Sequence, residues 1–244
     1  MFASLFRKKS SEVRAANKDF SFLSVDIHNH VLPGIDDGAP DVQTSLQLIN
    51  ELHNLGFQKV IATPHILADL YPNSPLTIRE AFETTGITAS SLGYAAEYML
   101  DDQFEQKIAE GKLLTMGDKY ILIEMSYLAE TRNVWEIIFQ LGIHGYKPIL
   151  AHPERYNYYH TQFDIYRRFK NTGCLLQLNL LSVTGYYGPG VKKVAEKLLK
   201  EGLVDLAATD LHHERHLSAL QKMPFSREWN TISTYPFKNA QLFG

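Results

Sequence analysis

The stretch VDIHNHVLPGIDDG, residues 25–38, carries two histidines and two aspartates at close spacing. His28 and His30 end an apolar run, and Asp36 and Asp37 follow in a short segment rich in Pro and Gly. Because residues i and i+2 of an extended segment face the same side, His28 and His30 are expected to project together. Paired imidazoles followed by carboxylates are typical of a metal-binding site.

Later parts of the chain repeat this pattern, because a side chain that can bind metal stands at or just beyond the end of nearly every apolar run. These side chains are His65, Glu97, Glu124, His152, Asp210 and His212. With His28, His30 and Asp37 they make nine nitrogen or oxygen donors. One ion uses about three to six donors, so two or three ions bridged by carboxylates are predicted. A donor set without thiolate favours Mn, Fe or Zn.

Five further histidines have no predicted ligand role. They are His53, His144, His160, His213 and His216. A single His or Glu is more often a surface residue or a hydrogen-bonded core residue than a ligand. The metal prediction therefore depends on all nine donors meeting in one place.

Seven short runs rich in apolar and β-branched residues alternate with segments of helical periodicity, which is typical of βα units around a parallel sheet. Strands are predicted at 23–28, 59–64, 93–99, 120–125, 147–152, 174–179 and 204–210. Helices are predicted at 41–56, 133–142 and 190–202, and no element is assigned within 66–92 or 211–244. A closed or nearly closed (β/α)7 barrel is predicted, with an open doubly wound sheet as the alternative. In such a barrel the carboxyl ends of the strands form one face, so the nine donors would converge there.

The composition restricts the class of function. With 24 basic and 27 acidic residues the net charge is −3, which argues against a general nucleic-acid-binding surface. Cys174 is the single cysteine, so there is no disulfide framework or Cys-rich zinc site, and a cytoplasmic protein is predicted. A nucleophilic cysteine at the start of an anion-binding loop that ends in arginine would need that arginine at position 180, which is Leu180. Cys174 is instead predicted to be a small strand residue inside the barrel.

Two regions are predicted along the chain. Residues 1–22 are expected to form a flexible N-terminal extension, and residues 23–244 a single barrel domain. The extension carries apolar residues before a basic run at 7–9. A weak peripheral contact with an anionic membrane is therefore the alternative for this segment.

Six motifs occur in order between residues 24 and 216: DIHNHVLPGIDDG, IATPH, AAEYM, ILIEM, LAHPERY and ATDLHH. Together they resemble the PHP (polymerase and histidinol phosphatase) superfamily, and within it the bacterial metal-dependent protein-tyrosine phosphatases of capsular and exopolysaccharide synthesis. The resemblance implies a distorted (β/α)7 TIM-like barrel with three metal ions, commonly manganese. It also implies three ligand sets: His28, His30, Glu97 and Asp210; Glu97, Glu124 and His152; and Asp37, His65 and His212.

The motif LAHPERY contains Arg155, which matches an arginine that the family uses to bind phosphate. A guanidinium can pair with two phosphoryl oxygens in a fork, and an ion pair with Glu154 is the alternative. Arg215 is a second candidate for substrate binding, although its spacing departs from the family pattern. Asp210 and His212 are candidates for proton transfer to a leaving phenolate.

The predicted reaction is hydrolysis of a phosphate monoester by hydroxide that metal ions activate. The resemblance implies a protein-tyrosine phosphatase whose partner is a tyrosine autokinase of polysaccharide export. The alternatives are a histidinol-phosphate phosphatase, another PHP phosphodiesterase or exonuclease, and a metal-stabilised binding module without turnover. The resemblance implies a longer counterpart of residues 66–92 in the family, and this departure bears on substrate choice more than on the chemistry. Tyr186 and Tyr187 are predicted to pack on a loop, with a place at the substrate entrance as the alternative.

Overall fold

The structure is a computed structural model and describes residues 18–244. The predictions for residues 1–17, which include the basic run at 7–9, lie outside the described residues. The strands are β1 (Val25–Asp26), β2 (Lys59–Ala62), β3 (His65–Ile66), β4 (Leu92–Tyr94), β5 (Glu97–Met99), β6 (Tyr120–Glu124), β7 (Lys147–Ala151), β8 (Leu175–Asn179) and β9 (Leu206–Ala208).

The helices are α1 (Val42–Asn54), α2 (Pro75–Thr84), α3 (Phe104–Glu110), α4 (Val134–Ile143), α5 (Asp164–Asn171), α6 (Pro189–Lys200), α7 (Glu214–Lys222), α8 (Trp229–Thr234) and α9 (Asn239–Phe243). Short 3-10 turns span Phe20–Phe22, Pro153–Arg155, Asn157–Tyr159, Leu180–Thr184 and Met223–Phe225. The three predicted helices are confirmed as α1, α4 and α6. α1 begins after Asp41 because its carboxylate accepts a hydrogen bond from the Thr44 N–H at 2.8 Å. In the described range, no helix combines the length and apolar character needed to cross a membrane.

The strands form two sheets that continue into each other. One sheet has the order β1-β2-β4 and the other β3-β5-β6-β7-β8-β9, and all strand pairs are parallel. Pro64 separates β2 from β3 because it has no N–H to donate to the ladder. Across this break the Ala95 N–H donates to the Ala62 carbonyl at 2.8 Å, and the Glu97 N–H donates to the Pro64 carbonyl at 3.1 Å. β2 with β3, and β4 with β5, therefore act as two bent strands.

Seven extended segments thus follow one another in chain order, and the last lies beside the first. The Asp210 N–H donates to the His28 carbonyl at 2.8 Å, and the His30 N–H donates to the Leu211 carbonyl at 2.9 Å. An open doubly wound sheet would order its strands differently, so that alternative is wrong. The predicted α/β fold, a distorted (β/α)7 TIM-like arrangement, is confirmed.

Apolar side chains fill both faces of these strands. A larger cluster lies between the strands and the surrounding helices, and a smaller one lies inside the ring of strands. Helix α9 covers the amino-terminal end of the ring, where the Phe243 ring meets Tyr120 edge-on with centroids 5.2 Å apart. The Asn239 side chain donates to the Val25 and Ala207 carbonyls there. The opposite end of the ring is not covered by α9 and carries polar side chains.

Cys174 lies one residue before β8 and is buried in the larger cluster. It therefore packs on the helix side of the strands, and its predicted position inside the barrel is wrong. Burial raises the pKa of the Cys174 thiol to about 12. A thiol in this state is not a nucleophile at neutral pH.

Phe20 falls within the predicted N-terminal extension but belongs to the packed part of the chain. Its side chain is fully buried and its ring stacks on Phe57 with centroids 5.6 Å apart. Trp229 contacts the same ring edge-on at 5.3 Å. Aromatic packing thus begins before residue 23, the predicted start of the domain.

Candidate metal centre

The nine predicted donors stand at the end of the ring opposite α9. Most follow the carboxyl ends of the extended segments, whereas His65 and Glu97 are the first residues of β3 and β5, at the bends in their strands. Four overlapping groups have ligand atoms within 4.8 Å of one another: His30, Asp37, His65 and His212; His28, His30 and Glu97; His28, His152 and Asp210; and His65, Glu97 and Glu124. Each of the nine belongs to at least one group, so the expected convergence is observed. Their role as metal ligands stays a prediction.

His28, His30, Glu97 and Asp210 direct ligand atoms into one small space. The Nε2 atom of His28 lies 3.1 Å from Glu97 Oε2 and 3.3 Å from Asp210 Oδ1. The Nε2 atom of His30 lies 3.4 Å and 3.5 Å from the same two oxygens, and the two Nε2 atoms are 3.3 Å apart. All four side chains are buried. Nitrogen and carboxylate donors at these separations can share one cation.

Glu97 lies at the centre of the donors. Its Oε2 atom is 3.1 Å from His65 Nδ1, and its Oε1 atom is 3.2 Å from His152 Nε2. Both oxygens are buried, and within the described residues neither has a hydrogen-bond partner in suitable geometry. A buried carboxylate in this state is costly, and bound cations would remove that cost. These residues therefore fit a group of divalent ions, which Glu97 and the imidazoles around it would hold.

Asp37, His65 and His212 form the more exposed side of the centre. Asp37 Oδ1 is 3.1 Å from His212 Nδ1 and 3.6 Å from His65 Nε2. Glu124 Oε1 lies 2.9 Å from His65 Nδ1. The Tyr71 ring stacks on His65, with centroids 5.6 Å apart. Because the Asp37 side chain is 51% exposed, this side of the centre is open to solvent.

Two residues that the sequence analysis missed hold the buried imidazoles in place. His28 Nδ1 donates to Gln177 Oε1 at 2.8 Å, and His30 Nδ1 donates to Asp36 Oδ2 at 2.8 Å. With one proton held on Nδ1, each Nε2 faces the carboxylates and can bind a cation once its own proton is lost. Gln177 carried a signal, because it is a polar residue inside an apolar strand run. Asp36 and Asp37 are adjacent, and no signal in the sequence shows which of them orients an imidazole and which is a candidate ligand.

Two of the donors occupy strained backbone. His152 has φ of 32° and Asp210 has φ of 52°, in a region that residues other than glycine rarely adopt. They follow β7 and β9 at the rim of the ring. Such conformations persist only where the surrounding structure fixes them, and they cluster at functional sites. The strain supports a functional role for both residues.

The carboxylates change the protonation of the buried imidazoles. Burial lowers the pKa of His28, but Glu97 and Asp210 outweigh burial and raise that pKa to about 9. Burial also lowers the pKa of His30. The carboxylates around it, Asp36 above all, outweigh burial and raise that pKa well above its ordinary value. Burial raises the pKa of Asp210, but His28 and other imidazoles hold it well below its usual range. Cations that bind here must therefore displace protons.

We expect the apparent affinity for Mn²⁺ to rise by about tenfold per pH unit between about pH 6 and pH 8, because binding releases at least one imidazole proton. The His28 proton is present below its pKa of about 9 and competes with the cation throughout this range. Calorimetric titration of the stripped protein with Mn²⁺, in buffers of different ionisation enthalpy, measures affinity and protons released. An affinity independent of pH would contradict this expectation.

Gly38 lets the first loop fold tightly over His30. A Cβ atom at Gly38 would lie 1.9 Å from the His30 carbonyl oxygen, which also accepts from the Ala39 N–H at 3.0 Å. We expect Gly38→Ala to lower the free energy of unfolding by about 1–3 kcal/mol, because the loop must move. Thermal denaturation measures this, with Gly142→Ala in α4 as control because a Cβ there meets nothing within 4 Å. Equal stability of the two variants would refute the expectation.

Arg155 ends the 3-10 turn after β7 and contacts Asp210, one of the nine candidate metal ligands. Its Nη1 donates to Asp210 Oδ2 at 2.7 Å. Its guanidinium carbon lies 4.7 Å from the ring centroid of Tyr127 and 4.2 Å from that of Tyr187. The Glu154 carboxylate accepts instead from a buried backbone N–H and a serine hydroxyl. The alternative of an Arg155–Glu154 ion pair is therefore wrong.

The remaining candidates lie farther from the donors. Arg215 is exposed in the first turn of α7 and lines a surface pocket with His213 and Glu214. Tyr187 contacts Arg155, whereas Tyr186 packs on His216 with ring centroids 5.2 Å apart. The other histidines have structural contacts: His213 caps α7, and a backbone carbonyl lies beside a ring nitrogen of His53, His144, His160 and His216.

Comparison with known proteins gives consistent matches. The family described as "Capsular polysaccharide synthesis, CpsB/CapC" matches residues 24–223. The tyrosine-protein phosphatase YwqE of Bacillus subtilis is 30% identical over 197 residues, which cover 78% of this chain and 77% of the relative. The tyrosine-protein phosphatase CpsB of Streptococcus pneumoniae is 27% identical over 201 residues, which cover 78% and 83%. A solved structure from work on YwqE and CpsB, described there as unique metal-dependent tyrosine phosphatases, matches with a TM-score of 0.73 and 27% identity over 90% of this chain and 94% of that chain.

Proposed function

The chain belongs to the CpsB/CapC family of capsular polysaccharide synthesis, and we propose that it is a metal-dependent phosphatase that hydrolyses phosphotyrosine on proteins. The relatives named tyrosine-protein phosphatases support this function. The observation that carries the proposal is Glu97, a buried carboxylate beside several imidazoles whose oxygens have no hydrogen-bond partner in the described chain. Such a group calls for cations, and clustered cations are typical of enzymes that transfer phosphoryl groups.

Three divalent ions are the proposed cofactors, with Mn²⁺ first and Fe²⁺ or Zn²⁺ as alternatives. When bound, such ions lower the pKa of water and neutralise phosphoryl oxygens. The proposed ligand sets are His28, His30, Glu97 and Asp210; Glu97, Glu124 and His152; and Asp37, His65 and His212. The contacts of His28 and His152 with Glu97, and of Asp37 with His212, support part of this division. His65 lies as close to Glu97 and Glu124 as these pairs do, so the assignment of His65 to the third set comes from the family resemblance.

The chain's own side chains bind and orient the phosphate. Arg155 uses one nitrogen on Asp210, and its remaining N–H groups can pair with phosphoryl oxygens. The Arg155 side chain is 20% exposed, so a phosphate can reach it. Asp210 Oδ1 and His212 Nε2 are 3.0 Å apart. Of these two candidates we propose His212 as the donor of a proton to the leaving phenolate. Burial raises the pKa of Asp210, but the neighbouring imidazoles outweigh burial, hold that pKa well below its usual range and keep Asp210 ionised. Arg215 is left as a weaker candidate for contact with the substrate protein.

The proposed partner is a tyrosine autokinase of polysaccharide export, because the family description places these proteins in capsular polysaccharide synthesis. Such a kinase consumes ATP, so the cytoplasm is the proposed compartment. The rival functions are another PHP-type phosphoesterase and a binding module without turnover. The complete donor set favours catalysis over a binding module.

Metal removal and reconstitution test this function. Protein stripped by a chelator should leave a phosphotyrosine peptide intact, and Mn²⁺ should restore turnover by at least about a hundredfold. Histidinol phosphate and an oligonucleotide are compared at the same concentration. Faster turnover of either would favour another phosphoesterase, and binding of the peptide without hydrolysis in Mn²⁺ would favour a binding module.

A further inference from the structure

The Arg155 guanidinium contacts three side chains of the protein itself, in addition to its proposed pairing with phosphate. The faces of Tyr127 and Tyr187 lie against its guanidinium, 4.7 Å and 4.2 Å from the ring centroids. Its Nη1 also donates to Asp210. Aromatic faces attract a guanidinium through the ring quadrupole, more strongly where the pair is partly removed from water. These contacts limit the rotation of the guanidinium.

Asn179 connects these contacts to one another. Its side chain is fully buried, and its Oδ1 accepts from the Leu181 N–H at 2.9 Å, which fixes the orientation of the amide. Its Nδ2 then donates to the Tyr187 hydroxyl at 3.1 Å and to Asp210 Oδ2 at 2.9 Å. One buried amide therefore positions two of the groups that hold Arg155.

We propose that Asn179 and Tyr187 are positioning residues, which fix the Arg155 guanidinium for the phosphoryl group before substrate binds. The proposal rests on the proposed phosphatase function and concerns phosphate recognition at the same site. A mobile arginine loses side-chain freedom when it binds phosphate, and an arginine that is already fixed loses less. The Asn179 bond to Oδ2 also leaves Asp210 Oδ1 directed at His28.

Binding of inorganic phosphate to the Mn²⁺-loaded protein tests this proposal by calorimetry. Tyr187→Leu removes the aromatic face and should weaken phosphate binding by about tenfold. Tyr187→Phe keeps that face and loses only the hydrogen bond, so a loss of about threefold is expected. Should Tyr187→Leu not fold, Asn179→Ser replaces it. The shorter side chain removes both hydrogen bonds that the Asn179 amide donates, to the Tyr187 hydroxyl and to Asp210. Manganese content and melting temperature are measured for every variant.

Tyr186→Leu is the neighbouring control, because the Tyr186 ring packs edge-on against Tyr187 and His216, with centroids 5.0 Å and 5.2 Å away, whereas the ring that faces Arg155 is that of Tyr187. It should leave the Kd for phosphate unchanged. In an Arg155→Ala background, Tyr187→Leu should cause no further loss, because Tyr187 acts through Arg155. A full loss in that background, or an equal loss from Tyr186→Leu, would overturn the proposal.

The calorimetric assay of phosphate binding does not depend on turnover. A protein that shows the expected pattern of Kd values but leaves phosphotyrosine intact would contradict the proposed function alone. A protein that hydrolyses phosphotyrosine and binds phosphate equally well in Tyr187→Leu would contradict the positioning role alone. The two proposals can therefore fail separately.

Discussion

Asp210→Asn is expected to lower kcat for Mn²⁺-dependent hydrolysis of an aryl phosphate by about a thousandfold, because several kcal/mol of charge stabilisation are lost. Asp210 Oδ1 lies within 3.5 Å of the Nε2 atoms of His28 and His30. Its Oδ2 accepts from Arg155. The asparagine amide keeps the shape of the side chain but removes the negative charge that Arg155 contacts and that bound cations would need. The loss should therefore fall on catalysis and on Mn²⁺ affinity while the fold is retained.

Steady-state kinetics with p-nitrophenyl phosphate at saturating Mn²⁺ measure this effect, and circular dichroism confirms the fold. His152→Ala should have a comparable effect, because His152 Nε2 is 3.2 Å from Glu97 Oε1. Asp118→Asn is the control for loss of one carboxylate, since that side chain is 88% exposed. Unchanged turnover in Asp210→Asn would remove Asp210 from the site.

Arg155→Ala is expected to raise KM for an aryl phosphate by about 10- to 100-fold, because hydrogen bonds to charged groups contribute about 1.5–3 kcal/mol each. The change in kcat should be smaller, since none of the nine donors is removed. Arg155→Lys should recover only part of the loss, because an ammonium keeps the charge but lacks the planar fork.

The same assay measures KM and kcat for these variants, and inhibition by inorganic phosphate gives an independent measure of binding. Arg168→Ala is the matched control, because Arg168 also stacks on an aromatic ring, 3.8 Å from the Trp135 centroid, but lies in α5. If KM and kcat of Arg155→Ala equal those of the unmodified protein, Arg155 does not contact the substrate.

The position of the donors could be predicted because their chemistry and their place on the strands agree. His28, His152 and Asp210 each follow an apolar run, and parallel strands bring their carboxyl ends to one rim. The bend in the strands was harder to predict. Pro64 gives a reason for the break between β2 and β3, but the sequence around Ala95 carries no comparable signal.

Residues that act through another side chain were not predicted from the sequence. Asp36 and Gln177 orient imidazoles, and Asn179 holds Asp210 and Tyr187. Their roles depend on packing between segments that are distant in the chain. Gln177 and Asn179 do share a face of β8 by their spacing of two, so a polar pair in an apolar strand run is a usable signal.

Short helices also escaped prediction. α5 has two buried residues, Tyr166 and Phe169, and such a short pattern gives little periodicity. α9 is placed by contacts of Asn239 and Phe243 with the amino-terminal end of the ring. No local sequence pattern predicts such contacts, because they join residues near position 240 to residues near position 25.

Crystals of the Mn²⁺-loaded protein, measured on both sides of the manganese absorption edge, test most directly whether nine side chains from separate strands form one multinuclear metal centre. We predict three anomalous peaks among the nine donors, each about 2.0–2.6 Å from its ligand atoms, with Glu97 bound to two of them. Peaks confined to the protein surface, or no peak among these imidazoles and carboxylates, would contradict the metal centre and the phosphatase function that depends on it.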